Sequence, residues 1–487
     1  MTAADIIFRN VQLIDGGGGP RTPADVAITG DRISAIGPIL DLTSDEQIDA
    51  DGLALAPGFI DAHTHDDRIV LADPAMTCKI SQGVTTFVAG NCGISIAPLK
   101  LRKKPPAPLD LIGQEPEDFF ASFSEYFDAL DTNPPAINVV AQVGHSSLRV
   151  AAVSDLNRPA TKSEIEAMRS ALRVALKDGA AGLSTGLEYE PANAAPTEEI
   201  EALATAVADF NGFHTTHMRD EGAGVMASLA ETFRIGQTAQ LPVIISHHKC
   251  AGLANHGQSC NTLSFIEKAR AHQPVALDCY PYVASSTVLS PARVRKASKT
   301  VIAWSKPHPQ HAGHELSDVA KGMGLTVDKA VEALQPAGAI YFNMHEDDVR
   351  RILSFPATMI GSDGLPHDEH PHPRLWGTFP RVLGHYAREV GLFPLEEAVR
   401  KMTSLTAQTF GIKDRGLVGE GYFADLVLFD PDTIIDSATY QAPYKPAEGV
   451  SHVFVTGECV WKRGAATGLR PGRGLKRQTL MPLYFAT

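Results

Sequence analysis

The chain is 487 residues long, which exceeds the size that one hydrophobic core usually supports, so we expect two or more domains. Its 44% hydrophobic and 20% charged residues are typical of a globular protein, and its net charge of −13 argues against nucleic acid as a partner. It has no apolar run long enough to span a bilayer, no signal-peptide pattern and only six scattered cysteines, so we expect a cytoplasmic protein without membrane contact.

Both ends of the chain contain short β-strand patterns separated by turn residues. They lie at residues 6–14, 26–31, 33–36, 424–430 and 453–457. Because these segments bracket a long middle with a different pattern, we predict one small β-sandwich domain formed by residues 1–56 and 414–487.

Residues 57–413 alternate apolar, β-branched runs with helical stretches. Counting the run that leads into this region, eight such runs lie at residues 53–57, 84–89, 136–143, 181–185, 213–217, 243–247, 275–280 and 359–363. This pattern implies a parallel sheet covered by helices, and eight units predict a (β/α)8 barrel of the TIM type. An open doubly wound sheet would need a Gly-x-Gly-x-x-Gly loop after an early strand, and the sequence has none there.

Two stretches depart from this repeat. Residues 101–118 are a proline-rich loop after the second strand. Residues 284–350 are too long for one strand–helix connection, so we predict that they form an inserted subdomain over the barrel mouth.

Polar side chains follow every predicted barrel strand, at the end where barrel enzymes carry their chemistry. They are His63, His65, Cys92, His145, Tyr189, His217, His247, Tyr280, Tyr282 and Asp363. A cysteine, five histidines and an aspartate on one rim suffice, in type and number, for a metal site. His63 and His65 are two residues apart and therefore project from one face of the strand end. His145 has no assigned role.

Asp363, after the eighth strand, is the predicted catalytic residue. Zinc lowers the pKa of bound water to about 7 and polarises a carbonyl group. A neighbouring carboxylate takes a proton from that water and passes it to a leaving amine. The rim therefore predicts zinc-dependent hydrolysis of an amide bond.

Several residues are candidates for binding the substrate. Lys249 lies two residues beyond His247 and shares its face, although taken alone it also fits a solvated lysine. A lysine and a tyrosine hydroxyl suit a carboxylate, and the spacing leaves Tyr280 and Tyr282 equally open as the partner. Tyr189 is a further pocket candidate.

The segment from Pro291 to Lys306 carries basic residues and no acid, in a chain that is acidic as a whole. It fits a solvated helix face, or it brings Arg293 or Arg295 to a substrate carboxylate. Arg374, in the loop after the eighth strand, is another candidate for that contact.

The order of motifs resembles the amidohydrolase superfamily and, within it, the N-acyl-D-amino-acid deacylases, essentially from end to end. The motifs are residues 56–65 (APGFIDAHTH), 90–93 (GNCG), 217–221 (HMRDE), 246–249 (SHHK), 280–282 (YPY), 361–366 (GSDGLP) and 421–427 (GYFADLV).

The resemblance implies a tight zinc site of Cys92, His217 and His247, and a weaker second site in which His63 and His65 share Cys92. It also implies that Lys249 and Tyr280 hold the α-carboxylate of an N-acyl-D-amino acid.

Two alternatives are a cyclic-amide hydrolase of the hydantoinase or dihydroorotase type and a non-catalytic structural relative. The first would carry a carboxylated lysine on strand four, where residues 183–189 have none. The complete ligand set argues against the second.

Overall fold

The computed structural model describes residues 4–477, and strands from both ends of this range pair in one nine-stranded sheet. The strands are Ala4–Leu13, Thr22–Thr29, Arg32–Gly37, Ser44–Asp49, Ala54–Pro57, Leu426–Phe429, Val450–Val455, Glu458–Lys462 and Ala465–Ala466. Ala54–Pro57 pairs antiparallel with Leu426–Phe429 and joins the two ends of the chain. The first three and last ten residues of the predicted terminal domain lie outside the described residues.

This sheet forks at its long central strand, Ala4–Leu13. The first part of that strand pairs parallel with Ser44–Asp49, whereas Gln12 and Leu13 pair with Ala54 and Leu55. Phe8, Val26, Leu426 and Phe454 are buried in the core of this domain, so apolar side chains from both chain ends stabilise it together.

The middle of the chain forms the predicted (β/α)8 barrel. Its strands are Phe59–Asp61, Val84–Ala89, Asn138–Ala141 continued by Val143–Gly144, Gly182–Gly186, Phe213–His217, Val243–Ile245, Val275–Cys279 and Thr358–Ile360. All strand pairs along the barrel are parallel. The first and eighth strands meet through hydrogen bonds from Ala62 N–H to the Ile360 carbonyl and from Asp363 N–H to the His63 carbonyl.

The barrel interior is packed rather than hollow. One buried apolar cluster takes a side chain from or beside each strand: Ile60, Val88, Val140, Ala181, Phe213, Ile244, Ala276 and Met359. This packed layer lies below the strand ends and gives rigid support to the polar residues that follow the strands.

Helices cover the outside of the barrel. They are Ile69–Ala72, Thr77–Ile80, Phe123–Thr132, His145–Ala152, Lys162–Asp178, Thr197–Ala208, Val225–Ala239, Ser259–Arg270, Glu346–Ser354, Arg374–Arg381, the π-helical Val382–Glu389, Leu395–Met402 and Ser404–Phe410. Lys162–Asp178 begins with a capping box, in which Thr161 and Glu164 bind each other's backbone N–H, and ends at Gly179 with φ 121°. Within residues 4–477, no helix is long and apolar enough to cross a membrane.

The prediction that residues 53–57 form the first barrel strand is wrong. Ala54–Pro57 belongs to the terminal sheet, and the barrel strand is Phe59–Asp61. The apolar run is continuous in sequence but divides at Gly58, where an added Cβ would clash with the Thr85 side chain. One apolar run therefore serves two sheets.

The inserted segment is a three-stranded antiparallel sheet with short helices. Its strands are Ala284–Val288, Lys299–Ser305 and Ala337–Phe342, and its helices are Pro291–Val294, Leu316–Gly322 and Val327–Leu334. Ile302, Leu334 and Tyr341 are buried in its own core. The predicted end at residue 350 falls inside helix Glu346–Ser354, whose Val349 and Leu353 belong to the large core around the barrel.

Candidate active site

The candidate metal ligands come from five barrel strands that are far apart in sequence. His63 and His65 follow the first strand, Cys92 follows the second, His217 ends the fifth, His247 follows the sixth and Asp363 follows the eighth. All six side chains are buried. The carboxyl ends of parallel strands meet at one rim, so the topology alone brings these residues together.

Cys92 lies at the centre of this cluster. Its Sγ is 3.3 Å from His63 Nε2, 3.3 Å from His247 Nε2 and 3.8 Å from His217 Nδ1. Two overlapping ligand groups result, one of His63, His65, Cys92 and Asp363, the other of Cys92, His217 and His247. This is the arrangement that the sequence resemblance implies.

Three residues of the cluster have left-handed backbone conformations. The φ angles are 52° at Cys92, 36° at His247 and 49° at Asp363. A residue other than glycine in this region costs about 1–3 kcal/mol, and such conformations gather at functional sites. Strand alternation holds only where the backbone is extended, so the direction of these side chains does not follow from strand parity.

A carboxylate stands behind three of the imidazoles. Glu188 Oε2 is 2.9 Å from His217 Nε2, and Glu221 Oε1 is 3.0 Å from His247 Nδ1. Asp278 Oδ1 lies 3.5 Å from His63 Nδ1. Each carboxylate faces the ring nitrogen that points away from Cys92, the position from which an acceptor orients an imidazole toward a metal, although the Asp278 contact at 3.5 Å is an ion pair and not a hydrogen bond.

Sequence reasoning missed these three acids. The signal that would have found them is their position, because Glu188 and Asp278 lie at the ends of strands four and seven and Glu221 is four residues beyond His217.

The electrostatics of the cluster favour a thiolate. Burial alone would raise the pKa of the Cys92 thiol, but the facing imidazoles of His63 and His247 hold it well below its ordinary value. Burial would likewise lower the pKa of His63, yet Cys92 and Asp278 raise it well above its usual range. The buried thiolate and the protonated imidazoles carry opposite charges and face one another. A divalent cation that replaces the protons binds to the same sulfur and nitrogen atoms.

The donor set fits zinc. A cysteine thiolate with two imidazoles is a typical ligand combination for this ion, and it leaves a coordination position open for water. The Nδ1 of His217 and the Nε2 of His247 lie 2.9 Å apart and both face Cys92. Cys92, His217 and His247 are therefore suited to one zinc ion, with His63 and His65 beside Cys92 for a second.

Asp363 is oriented by an arginine. Its Oδ2 is 2.8 Å from Arg374 Nη1, and its Oδ1 faces the cluster at 3.2 Å from His65 Nε2. Burial would raise the pKa of Asp363, but Arg374 and the neighbouring imidazoles hold it well below its ordinary value. The carboxylate is therefore ionised, with one oxygen anchored and the other directed at the metal ligands.

Four of the predicted substrate residues line the cavity above the cluster: Tyr189, Lys249, Tyr280 and Arg293. Lys249 Nζ is 2.7 Å from Glu221 Oε2, and the Tyr280 hydroxyl is buried without a hydrogen-bond partner among the described residues. Arg293 pairs with Glu188 at 3.0 Å, and the Tyr189 hydroxyl lies 3.0 Å from Thr287 Oγ1.

The other three predicted substrate residues do not line this cavity. Arg374 lies behind Asp363, 1% exposed. Arg295 faces solvent and pairs with Asp328 at 3.3 Å. Tyr282 lines a separate pocket with Arg381, because its strand ends at Cys279 and Pro281 interrupts the alternation that would have placed it beside Tyr280.

Two segments outside the barrel repeat supply further cavity walls. Pro108 and Leu111 come from the proline-rich loop, and Ser285 to Thr287 come from the first strand of the insertion. The insertion therefore lies over the barrel mouth, as predicted. His145 is buried away from the cavity and pairs with Glu199 at 3.0 Å.

Comparisons with known proteins show what this chain resembles. The sequence model of the amidohydrolase family matches residues 46–278 and 294–461. D-aminoacylase from Alcaligenes xylosoxydans xylosoxydans is 54% identical over 473 residues, which cover 97% of this chain and 98% of that protein.

Two solved structures extend the likeness to three dimensions. One, from work on the binuclear metal center of D-aminoacylase with one-metal activation and second-metal attenuation, is 52% identical with a TM-score of 0.95 over 97% of this chain and 100% of that chain. The other is N-acyl-D-glutamate deacylase from Bordetella bronchiseptica with zinc and a phosphonate mimic of the tetrahedral intermediate. It is 45% identical with a TM-score of 0.94 over 98% of this chain and 100% of that chain.

Proposed function

The chain belongs to the amidohydrolase family, and on that basis we propose that it is a zinc-dependent N-acyl-D-amino-acid deacylase. It hydrolyses the amide bond of a linear N-acyl-D-amino acid and releases a carboxylate and a free D-amino acid. The observation that carries this proposal is the Cys92-centred ligand cluster facing Asp363, in a cavity that also contains Lys249 and Tyr280.

Cys92, His217 and His247 would hold the tight zinc ion, and His63 and His65 would form a weaker second site with Cys92. When bound, zinc supplies a Lewis acid that lowers the pKa of water and polarises the scissile carbonyl. Glu188 and Glu221 keep the two imidazoles of the tight site in the tautomer that binds metal.

Asp363 moves the proton. Its Oδ1 accepts a proton from the attacking water, whose oxygen forms a bond to the acyl carbon. The same oxygen then gives that proton to the amide nitrogen as the carbon–nitrogen bond breaks. Arg374 keeps Oδ2 occupied throughout, so that proton transfer is confined to the oxygen that faces the cluster.

Lys249 and Tyr280 receive the substrate's α-carboxylate. The Lys249 ammonium is 5.8 Å from the centre of the Tyr280 ring, so the two polar groups border the same part of the cavity. The Tyr280 hydroxyl has no partner among the described residues, and burying such a group without one is costly. A carboxylate that accepts from both groups removes this cost.

Two fixed points and the wall of the cavity together select one enantiomer. The scissile carbonyl lies at the metal ligands and the α-carboxylate at Lys249, so only one hand directs its side chain into free space. The relatives named above carry D-amino-acid names, and this supports D as the accepted hand. A cytoplasmic location suits Cys92, because a reducing compartment keeps its thiol available for zinc.

The test is a hydrolysis assay of the zinc-loaded enzyme on paired D and L forms of N-acetyl amino acids and on a hydantoin. We expect turnover of the linear D compounds only. Faster hydrolysis of the hydantoin would favour the cyclic-amide alternative, and equal rates on both hands would refute the proposed geometry. No hydrolysis of any compound by zinc-loaded enzyme would identify a non-catalytic relative.

A further inference from the structure

One carboxylate is shared between the candidate zinc site and the candidate substrate site. Glu221 Oε1 lies 3.0 Å from His247 Nδ1 and 2.8 Å from Lys249 Nζ, while its Oε2 lies 2.7 Å from the same Nζ. The Glu221 side chain is only 7% exposed. Its backbone carbonyl accepts from Ala251 N–H at 2.7 Å, which holds Glu221 beside Lys249.

The two close partners of Glu221, His247 and Lys249, have different roles. His247 directs its Nε2 at Cys92 and therefore needs an acceptor at Nδ1 to be a strong ligand. Lys249 needs free N–H groups to receive a substrate carboxylate, but its Nζ contacts both oxygens of Glu221 and also lies 2.8 Å from His247 Nδ1. Glu221 Oε1 and Lys249 Nζ therefore both face His247 Nδ1, and that nitrogen can donate fully to the carboxylate only when the ammonium turns away.

We propose that Glu221 is a positioning residue that couples the two sites. This inference rests on the proposed function, because it takes Lys249 as the group that receives the α-carboxylate. When a substrate carboxylate engages Lys249, the ammonium turns away from His247 Nδ1, Glu221 accepts fully from that nitrogen, and the imidazole becomes a better zinc ligand. Carboxylate binding therefore strengthens zinc binding, and by linkage zinc strengthens carboxylate binding by the same factor.

The test measures zinc affinity by competition with a chelator, without turnover. The probe is D-alanine, whose small side chain suits any preference of the pocket, and the control is D-alaninamide, which keeps the amine but lacks the carboxylate. We expect millimolar D-alanine to tighten zinc binding by roughly fivefold or more, the lower end of typical coupling between sites. We expect D-alaninamide to leave zinc binding unchanged.

Two variants locate the effect. Glu221→Gln should weaken zinc binding by about 10–100-fold and abolish the response to D-alanine. Lys249→Met should also abolish the response but should not weaken zinc binding, because Glu221 then serves His247 alone. A zinc affinity that falls in Glu221→Gln and is kept in Lys249→Met would not arise from a general loss of structure.

The chain offers a matched control in Glu199→Gln. Glu199 is also buried and shared, with Oε1 3.0 Å from His145 Nε2 and 2.6 Å from Arg149 Nη1, but it lies outside the cavity. This variant should keep both the zinc affinity and the D-alanine response. Equal responses in the parent and Glu221→Gln, no response in the parent, or an equal response to D-alaninamide would overturn the proposal. Because no step needs catalysis, loss of deacylase activity would not be mistaken for loss of coupling.

Discussion

Replacing Asp363 by asparagine should affect both catalysis and stability, and the two effects can be measured separately. Asparagine keeps the shape of the side chain but cannot accept the proton of the attacking water. A general base contributes about 10²–10⁴-fold, so turnover should fall by at least about 10²-fold, which corresponds to about 3 kcal/mol or more of transition-state stabilisation. Zinc content should not change, because the Cys92, His217 and His247 ligand group does not include Asp363.

The same substitution removes the counterion of Arg374. That ion pair is 2.8 Å long, with side chains 1% and 11% exposed, so solvent screens it little. Removing one partner of a buried pair costs about 3–5 kcal/mol, and we expect the lower end because asparagine still places a polar oxygen beside Arg374. The double variant Asp363→Asn/Arg374→Met leaves no unpaired charge and should unfold at a higher urea concentration than the single variant, while remaining inactive.

The Arg374→Met variant adds a prediction on pH. Arg374 helps to hold the pKa of Asp363 well below its ordinary value, so the base is lost only as pH falls through that low pKa. Without Arg374 the pKa rises, and the acid side of the kcat/KM profile should move to higher pH. Near-parent turnover of Asp363→Asn with unchanged zinc would refute its role in proton transfer. An unchanged urea midpoint in that variant would refute the energetic importance of the pair.

Three further predictions concern substrate, metal and proton binding. Lys249→Met should lower kcat/KM for N-acetyl-D-amino acids by roughly 10–150-fold, the value of a charge-assisted hydrogen bond, whereas the solvent-facing Arg295→Ala should leave it unchanged. Cys92→Ala should lose tightly bound zinc and nearly all activity, whereas His63→Ala should retain roughly one zinc per chain, and metal analysis showing the reverse order would contradict the ligand assignment. Burial and the nearby His145 lower the pKa of His214 from 6.5 to about 3, so below about pH 6.5 the unfolded chain binds the extra proton and stability falls with pH. Urea unfolding at pH 7 and pH 5 should show this loss, and His214→Gln should reduce it.

The strand pattern was sufficient for most of the fold because burial on both faces of a parallel sheet leaves continuous apolar runs. Strand five, Phe213–His217, matches its predicted residues. The prediction failed where one run serves two sheets, at residues 53–61. The apolar pattern of a strand indicates that it is buried, but it does not indicate which neighbouring strand supplies its hydrogen bonds.

Strand alternation placed some substrate residues correctly and misplaced others. Lys249 and Tyr280 reach the cavity, whereas Tyr282 does not. A period of two holds only while the backbone stays extended. Pro281 ends that regularity, and the left-handed φ of 36° at His247 redirects the ligand itself.

The amino-acid sequence by itself determined the types of metal ligand, their order along eight strands and their common rim, since residues that follow parallel barrel strands must meet at one end. Only the tertiary structure decided the partners of those residues: Glu221 between His247 and Lys249, and Arg374 behind Asp363. Glu221 and Lys249 are 28 residues apart in the sequence, and Arg374 follows the loop after the eighth strand. No local periodicity therefore encodes either pair. They form because a buried charge must find an opposite charge within reach, and that reach is set by how the loops fold over the rim.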